Sequence, residues 1–194
     1  MKKIEYVWRE LLVRTIEKRI PVFGQQELAA SLGLSSSTVN LALSPLRRMG
    51  AVIIGKRRSE VMDYEKILYH WANHRSLGVD IAASLHLDLP VREIEGRLPI
   101  GSIPTAYTAV RERFGEPPAD YGKVYCYHKN PDEVVKRLTP DSSSGTPNLF
   151  ILQADAHLGN TVSLPQLFVD LWNMTDWYAK DFCNVLKAKI EEIV

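Results

Sequence analysis

The segment that most constrains the fold of this chain runs from Gln25 to Asp63, QQELAASLGLSSSTVNLALSPLRRMGAVIIGKRRSEVMD. Its start carries Leu28, Ala29 and Leu32 at the spacing of one helical face. Gly33 follows, a residue able to take left-handed backbone and so to close a helix and turn the chain. Three serines and a threonine come next, any of which can cap a second helix. That second helix turns Val39, Leu43 and Leu46 inward. Ser36, Ser37, Thr38, Asn40, Leu41, Ser44, Arg47 and Arg48 remain for its other side. Gly50 ends it. A β-branched run from Ala51 to Ile54 then leads into the turn Gly55-Lys56-Arg57-Arg58-Ser59, and Val61 and Met62 suggest a returning strand.

Helix, glycine turn, polar-faced helix and a hairpin with a cationic tip together resemble a winged helix-turn-helix. In such a unit the second helix enters the major groove of double-stranded DNA, where short polar side chains reach base edges. The hairpin tip then lies beside the backbone, and Lys56, Arg57 and Arg58 would each neutralise a phosphate and release counterions. Gln25 or Gln26, at the start of the first helix of the pair, stands where free N–H groups favour a phosphate. The plainer alternative is a helical hairpin used for protein contacts. Pro45 falls inside the second helix, where it removes one hydrogen bond, so a kink or a division is expected between Leu41 and Pro45.

Charge is divided along the chain in the same sense. The residues before Ser76 carry 13 Lys and Arg against 7 Asp and Glu, while the remainder carries 11 against 16. A basic front segment and an acidic rear one suit a nucleic-acid-binding module joined to a non-binding domain. The expected organisation is a winged helix-turn-helix domain over 1–75 and a small α+β domain over 76–194 that ends in helices. Before the Gln25 helix, Lys3 to Arg19 reads as one amphipathic helix with Tyr6, Val7, Leu11, Val13, Ile16 and Ile20 on its apolar side, stopped by Pro21. After the hairpin, Tyr64 to Arg75 reads as another, with Ile67, Leu68 and Trp71 inward and a hinge at Ser76-Leu77-Gly78. No apolar run approaches the ~20 residues that span a bilayer. The start has no secretory signal, and two cysteines are too few for a disulfide framework or a structural zinc. A cytoplasmic protein is expected.

The second half mixes elements. Ile81 to Leu89 is either a buried strand or a short helix. Val91 to Leu98 is a short helix, and Ile103 to Phe114 a longer one opened by Pro104 and closed by Gly115. Lys123 to His128 is a strand, Asn130 starts a helix, Asn148 to Gln153 is a buried strand, and the tail from Leu164 is helical with a break at Thr175-Asp176.

Gly101-Ser102-Ile103-Pro104-Thr105-Ala106 and, above all, Val162-Ser163-Leu164-Pro165-Gln166-Leu167-Phe168-Val169-Asp170-Leu171 give the chain a resemblance to the AbiEi family of antitoxins and regulators. The resemblance implies a repressor of its own operon, acting through the winged helix. It also implies a second domain that counters a partner nucleotidyltransferase toxin. Trp172 to Trp177 departs from the glycine- and arginine-containing turn common in that family, which changes the expected partner contacts. By its own chemistry the Val162–Leu171 segment reads as packing, with Ser163 as a cap, Leu167, Phe168 and Leu171 in the core, and Asp170 solvated or holding a loop.

An enzyme is not expected. Gly101-Ser102 is not followed by the paired carboxylates that nucleotidyltransferases need for two metal ions, and no P-loop or nucleophile–base set has motif context. Asp155 and His157 form the one neat acid–histidine pair, in an apparent turn. His70 and His74 stand one helical turn apart, but no third ligand accompanies them, so no metal or other cofactor is expected. A further possibility is a repressor whose second domain senses a small molecule between Tyr107, Tyr125, Tyr127, Phe150 and Trp172. The oligomeric state is not legible.

Overall fold

Residues 1–56 and 58–194 are described by the structure, a computed structural model with an α+β fold. The chain divides into two units. The first comprises Met1–Arg75, Leu164–Val169 and Lys187–Val194, and the second Ser76–Ser163 and Asp170–Leu186.

The first unit opens with Lys3–Leu12 (α1), which runs directly into a π-helical turn, Val13–Glu17. Its buried side is Val7, Trp8, Leu11, Leu12 and Ile16. This corrects the expected stripe: Tyr6 and Val13 are only half-buried and Ile20 is 53% exposed. The extra residue of the π turn, whose Lys18 N–H donates to the Val13 carbonyl at 3.1 Å, shifts the phase of every later side chain. The helix therefore ends at Glu17, short of Pro21. Val22–Phe23 (β1), Gln25–Ser31 (α2), Ser36–Arg48 (α3), Val52–Ile54 (β2), Ser59–Val61 (β3) and Tyr64–His74 (α4) follow. The strands form one antiparallel sheet in the order β1-β3-β2.

Helix α1 packs on α3 and α4. Trp8 is buried and its Nε1–H donates to the Ala42 carbonyl at 2.8 Å, which satisfies the one polar atom of a large apolar ring. Glu5 is only 3% exposed: its Oε2 accepts from Trp71 Nε1 at 3.0 Å and from Arg75 Nη1 at 3.4 Å, and its Oε1 accepts from the Lys2 N–H at 3.1 Å. Three contacts tie the late segments to this unit. Arg9 Nη1 donates to Gln166 Oε1 at 2.7 Å, the Leu164 N–H donates to Glu17 Oε1 at 2.6 Å, and Tyr69 meets Phe168 edge-on at 5.7 Å between centroids.

In the second unit Ile81–Leu85 (β4), Val91–Arg97 (α5), Ile103–Thr105 (β5), Ala106–Phe114 (α6), Val124–His128 (β6), Pro131–Leu138 (α7) and Leu149–Gln153 (β7) precede Leu164–Trp172 (α8) and Ala179–Ile193 (α9), both of which the two units share. The sheet order is β4-β7-β6-β5. Only β6 and β7 are parallel, the pair joined through α7. Val124, Cys126, Leu149 and Ile151 form a core with Leu87, Ile94, Val134 and Leu138. Ile103 to Thr105 is strand rather than the first turn of a helix. Proline suits both places, and here Pro104 sits on an outermost strand, where a missing N–H breaks no ladder bond. Asp170 is fully buried, not solvated: its carboxylate accepts from Thr105 Oγ1 at 2.8 Å and Tyr127 OH at 2.9 Å.

Candidate nucleic-acid interface

The geometry of the α2–α3 pair follows from its turn. Gly33 takes φ +59°, and the Leu34 N–H donates to the Ala29 carbonyl at 2.8 Å, so the end of α2 closes and the chain reverses. Ser35 caps α3: its Oγ accepts from the Thr38 N–H at 3.2 Å. The same Oγ lies 2.8 Å from Ser37 Oγ and 2.9 Å from Thr38 Oγ1, so both hydroxyls are engaged at the helix start. Thr38 is half-buried. Val39, Ala42, Leu43 and Leu46 are buried, and Ser36, Ser37, Asn40, Leu41, Ser44, Arg47 and Arg48 are exposed. Pro45 does not divide the helix, which is continuous from Ser36 to Arg48. The proline has no N–H for the Leu41 carbonyl, and at an exposed residue water can serve that oxygen.

The hairpin is β2 and β3 in register Val52↔Val61, Ile53↔Glu60, Ile54↔Ser59. Gly55 opens its turn because a Cβ there would sit 2.2 Å from the Arg58 carbonyl oxygen. Lys56 and Arg58 are exposed, and Arg57 lies outside the described residues. Two clefts flank the tip. One, of ≈ 400 Å³, is lined by Gly24, Gln25, Gln26, Ser36, Gly55, Lys56 and Ser59, and so brings together Gln25, Ser36 and Lys56 from three separate elements. The other, of ≈ 520 Å³, joins Arg58 to Arg14 and Lys18 along with Glu27. Sequence reasoning passed over Arg14 and Lys18, since nothing local signals a cleft built from residues some forty positions apart. Arg14 is ion-paired with Glu10 at 3.0 Å and also bonds Glu27, which pulls the Glu27 carboxyl below its ordinary range. Among the described residues Arg47, Arg48, Lys56 and Arg58 form no ion pair.

Other candidates resolve into structural roles. The His70 and His74 rings lie 4.1 Å apart between centroids, tilted by 45°, and both make T-shaped contacts with Trp8. Burial, helped by the neighbouring His74, lowers the His70 pKa to about 4. Asp155 Oδ1 accepts from the His157 N–H at 2.9 Å, an Asx turn. Tyr107 packs edge-on to Tyr178 and Phe182, and Tyr125 stacks on Phe150 at 4.6 Å, so these aromatic faces cover one another rather than a cleft. Cys126 and Cys183 are buried thiols pushed up to about 12 by desolvation. Among the described residues no three His, Cys, Asp or Glu side chains gather to hold a metal ion, and no helix is long and apolar enough to cross a membrane.

The arrangement as a whole offers one exposed helical strip of hydroxyl, amide, leucine and guanidinium side chains, in the same unit as a hairpin whose described cations form no ion pair. Neither a family model, nor a curated protein, nor a solved structure matches this chain.

Proposed function

We propose that the chain is a DNA-binding transcriptional regulator whose first unit is a winged helix-turn-helix. The exposed face of α3 reads the major groove, and Lys56 and Arg58 meet the phosphate backbone. One observation carries the reading. The side of α3 that escapes the core carries hydroxyl, amide and guanidinium groups around one leucine, and Arg47, Arg48, Lys56 and Arg58 have no acid partner among the described residues. Such a surface favours a polyanion, because each cation it seats on a phosphate displaces a condensed counterion. Short hydroxyl and amide side chains suit base edges, which longer charged chains would hold at a distance.

Fluorescence anisotropy on a duplex from the chain's own upstream region, against a shuffled duplex, tests the reading. The upstream duplex binds more tightly, and Lys56→Gln with Arg58→Gln flattens the log Kd against log salt slope by about 1.8, at roughly 0.9 per phosphate contact. An unchanged slope removes the hairpin from the interface, and no binding to either duplex at low salt refutes the proposal. The resemblance at Val162–Leu171 supports an autorepressor whose second unit counters a co-encoded nucleotidyltransferase toxin. Growth rescue on co-expression with the neighbouring gene's product tests that part. A neighbour that is harmless by itself, or a toxicity this chain leaves unchanged, overturns it.

A further inference from the structure

We infer that Leu41 makes α3 select A·T base pairs by packing on the 5-methyl group of thymine in the major groove. The inference rests on the DNA-binding reading above and adds to it a class of base. Leu41 is 65% exposed. A single exposed leucine is ordinary on a protein surface; its neighbours set this one apart. Residues three and four positions away share a helical face, so Leu41 stands between Ser37 and Ser44, with Arg48 one turn beyond Ser44. It is no stray core residue, because Val39, Ala42, Leu43 and Leu46 already fill the buried side. The flanking serines are shorter than leucine, so between Ser37 and Ser44 the leucine methyls reach furthest from the helix.

The occupant must therefore be anionic as a whole and apolar at one point. Arg47 and Arg48 at the end of α3 attract anions, and the strip from Ser36 to Arg48 contains no carboxylate. A protein partner's apolar patch has no need of those cations. The major groove meets both demands, since its unmodified bases present a single alkyl group, the methyl of thymine. Asn40, exposed beside Leu41, carries the amide that pairs with adenine N6 and N7. Adjacent residues thus address the two bases of the same kind of pair.

The full chain is first used to select bound duplexes from a random library. Each fixed thymine is then replaced singly by deoxyuridine, which deletes only the methyl group. Wild type loses about fourfold in affinity at one position, the factor that burying one methyl group supplies. Leu41→Ala loses a comparable factor on the thymine duplex and is indifferent to deoxyuridine at that position, with an unchanged melting temperature. Leu41→Gln, a second variant, loses the methyl response in the same way. If wild type binds the selected duplexes but no deoxyuridine substitution weakens it, the inference is overturned, as it is if Leu41→Ala stays as methyl-sensitive as wild type. Failure to enrich any duplex strikes the DNA-binding reading itself and takes the inference with it, so the two failures are distinct.

Discussion

Replacing Glu5 by Gln removes one charge from the interior of the first unit and almost nothing else. Glutamine keeps the volume and leaves a neutral acceptor for Trp71 Nε1, which Glu5 serves at 3.0 Å. Arg75, with its side chain only 2% exposed, keeps its charge and loses the carboxylate 3.4 Å away. Breaking a buried ion pair by removing one of its members costs about 3–5 kcal/mol. The Nη1–Oε2 distance is longer than the ~2.7–2.9 Å of the strongest charge-assisted bonds, which places the expected loss at the lower end, about 3 kcal/mol. For a chain of this size that lowers the melting temperature by roughly 6–12 °C. Urea unfolding and thermal circular dichroism measure it, with Arg75→Met and the double variant completing a cycle. Because both single variants break the same Glu5–Arg75 contact, the double variant loses less than the sum of the singles, with a coupling of about 2 kcal/mol. A loss below about 1 kcal/mol for Glu5→Gln, or strict additivity, refutes the reasoning.

Ser35→Ala leaves the Thr38 N–H without its cap and destabilises by about 1 kcal/mol, whereas Ser35→Asp keeps the acceptor and most of the stability; thermal melts rank the two. Gly55→Ala forces the hairpin turn away from the Arg58 carbonyl. Amide exchange therefore rises across β2 and β3, while Gly78→Ala, whose added methyl meets nothing within 4 Å, changes nothing. His70 has a folded pKa of about 4 against an ordinary 6.5, so the folded state disfavours its protonated form. Its effect on stability is absent above pH 6.5 and grows as the pH falls, levelling off below about 4. Discounted for partial solvent screening, the loss is about 1 kcal/mol. Urea midpoints of wild type drop further between pH 7 and 4.5 than those of His70→Leu, and parallel curves overturn the assignment.

What could be read in advance depended on whether an element's signal was its own. Helix α3 is legible because its apolar positions, its serine cap and its flanking glycines all lie within the eighteen residues from Gly33 to Gly50. Strand β1 was not, since two residues between Pro21 and Gly24 are too short for any periodicity. The π turn in the first helix is a backbone insertion without a composition signature, and it misplaced Val13 and Ile20. Pro104 suits the opening of a helix, but the pairing of Ile103 to Thr105 with Tyr125 to Tyr127 prevails, a contact 20 to 24 residues distant that no local pattern announces. The exposed side of α3 and the hairpin were visible locally. The clefts beside the hairpin were not, because they form only when α1, α2 and the hairpin come together.

The late segments of the first unit bear on how a ribosome delivers this protein. Leu164–Val169 and Lys187–Val194 pack with Met1–Arg75, and Arg9, Glu17 and Tyr69 all wait for partners near residue 165. At about 5–20 residues per second, those partners are made roughly 5–20 s after Arg75. Until then the nascent amino-terminal segment keeps the underside of Tyr69 uncovered and Arg9 without Gln166. Residues 1–75, expressed alone, stay in that half-finished state, so a fragment cut at Arg75 is a poor stand-in for the first unit of the full chain. Fusing 164–194 back through a flexible tether is the simplest way to restore those partners.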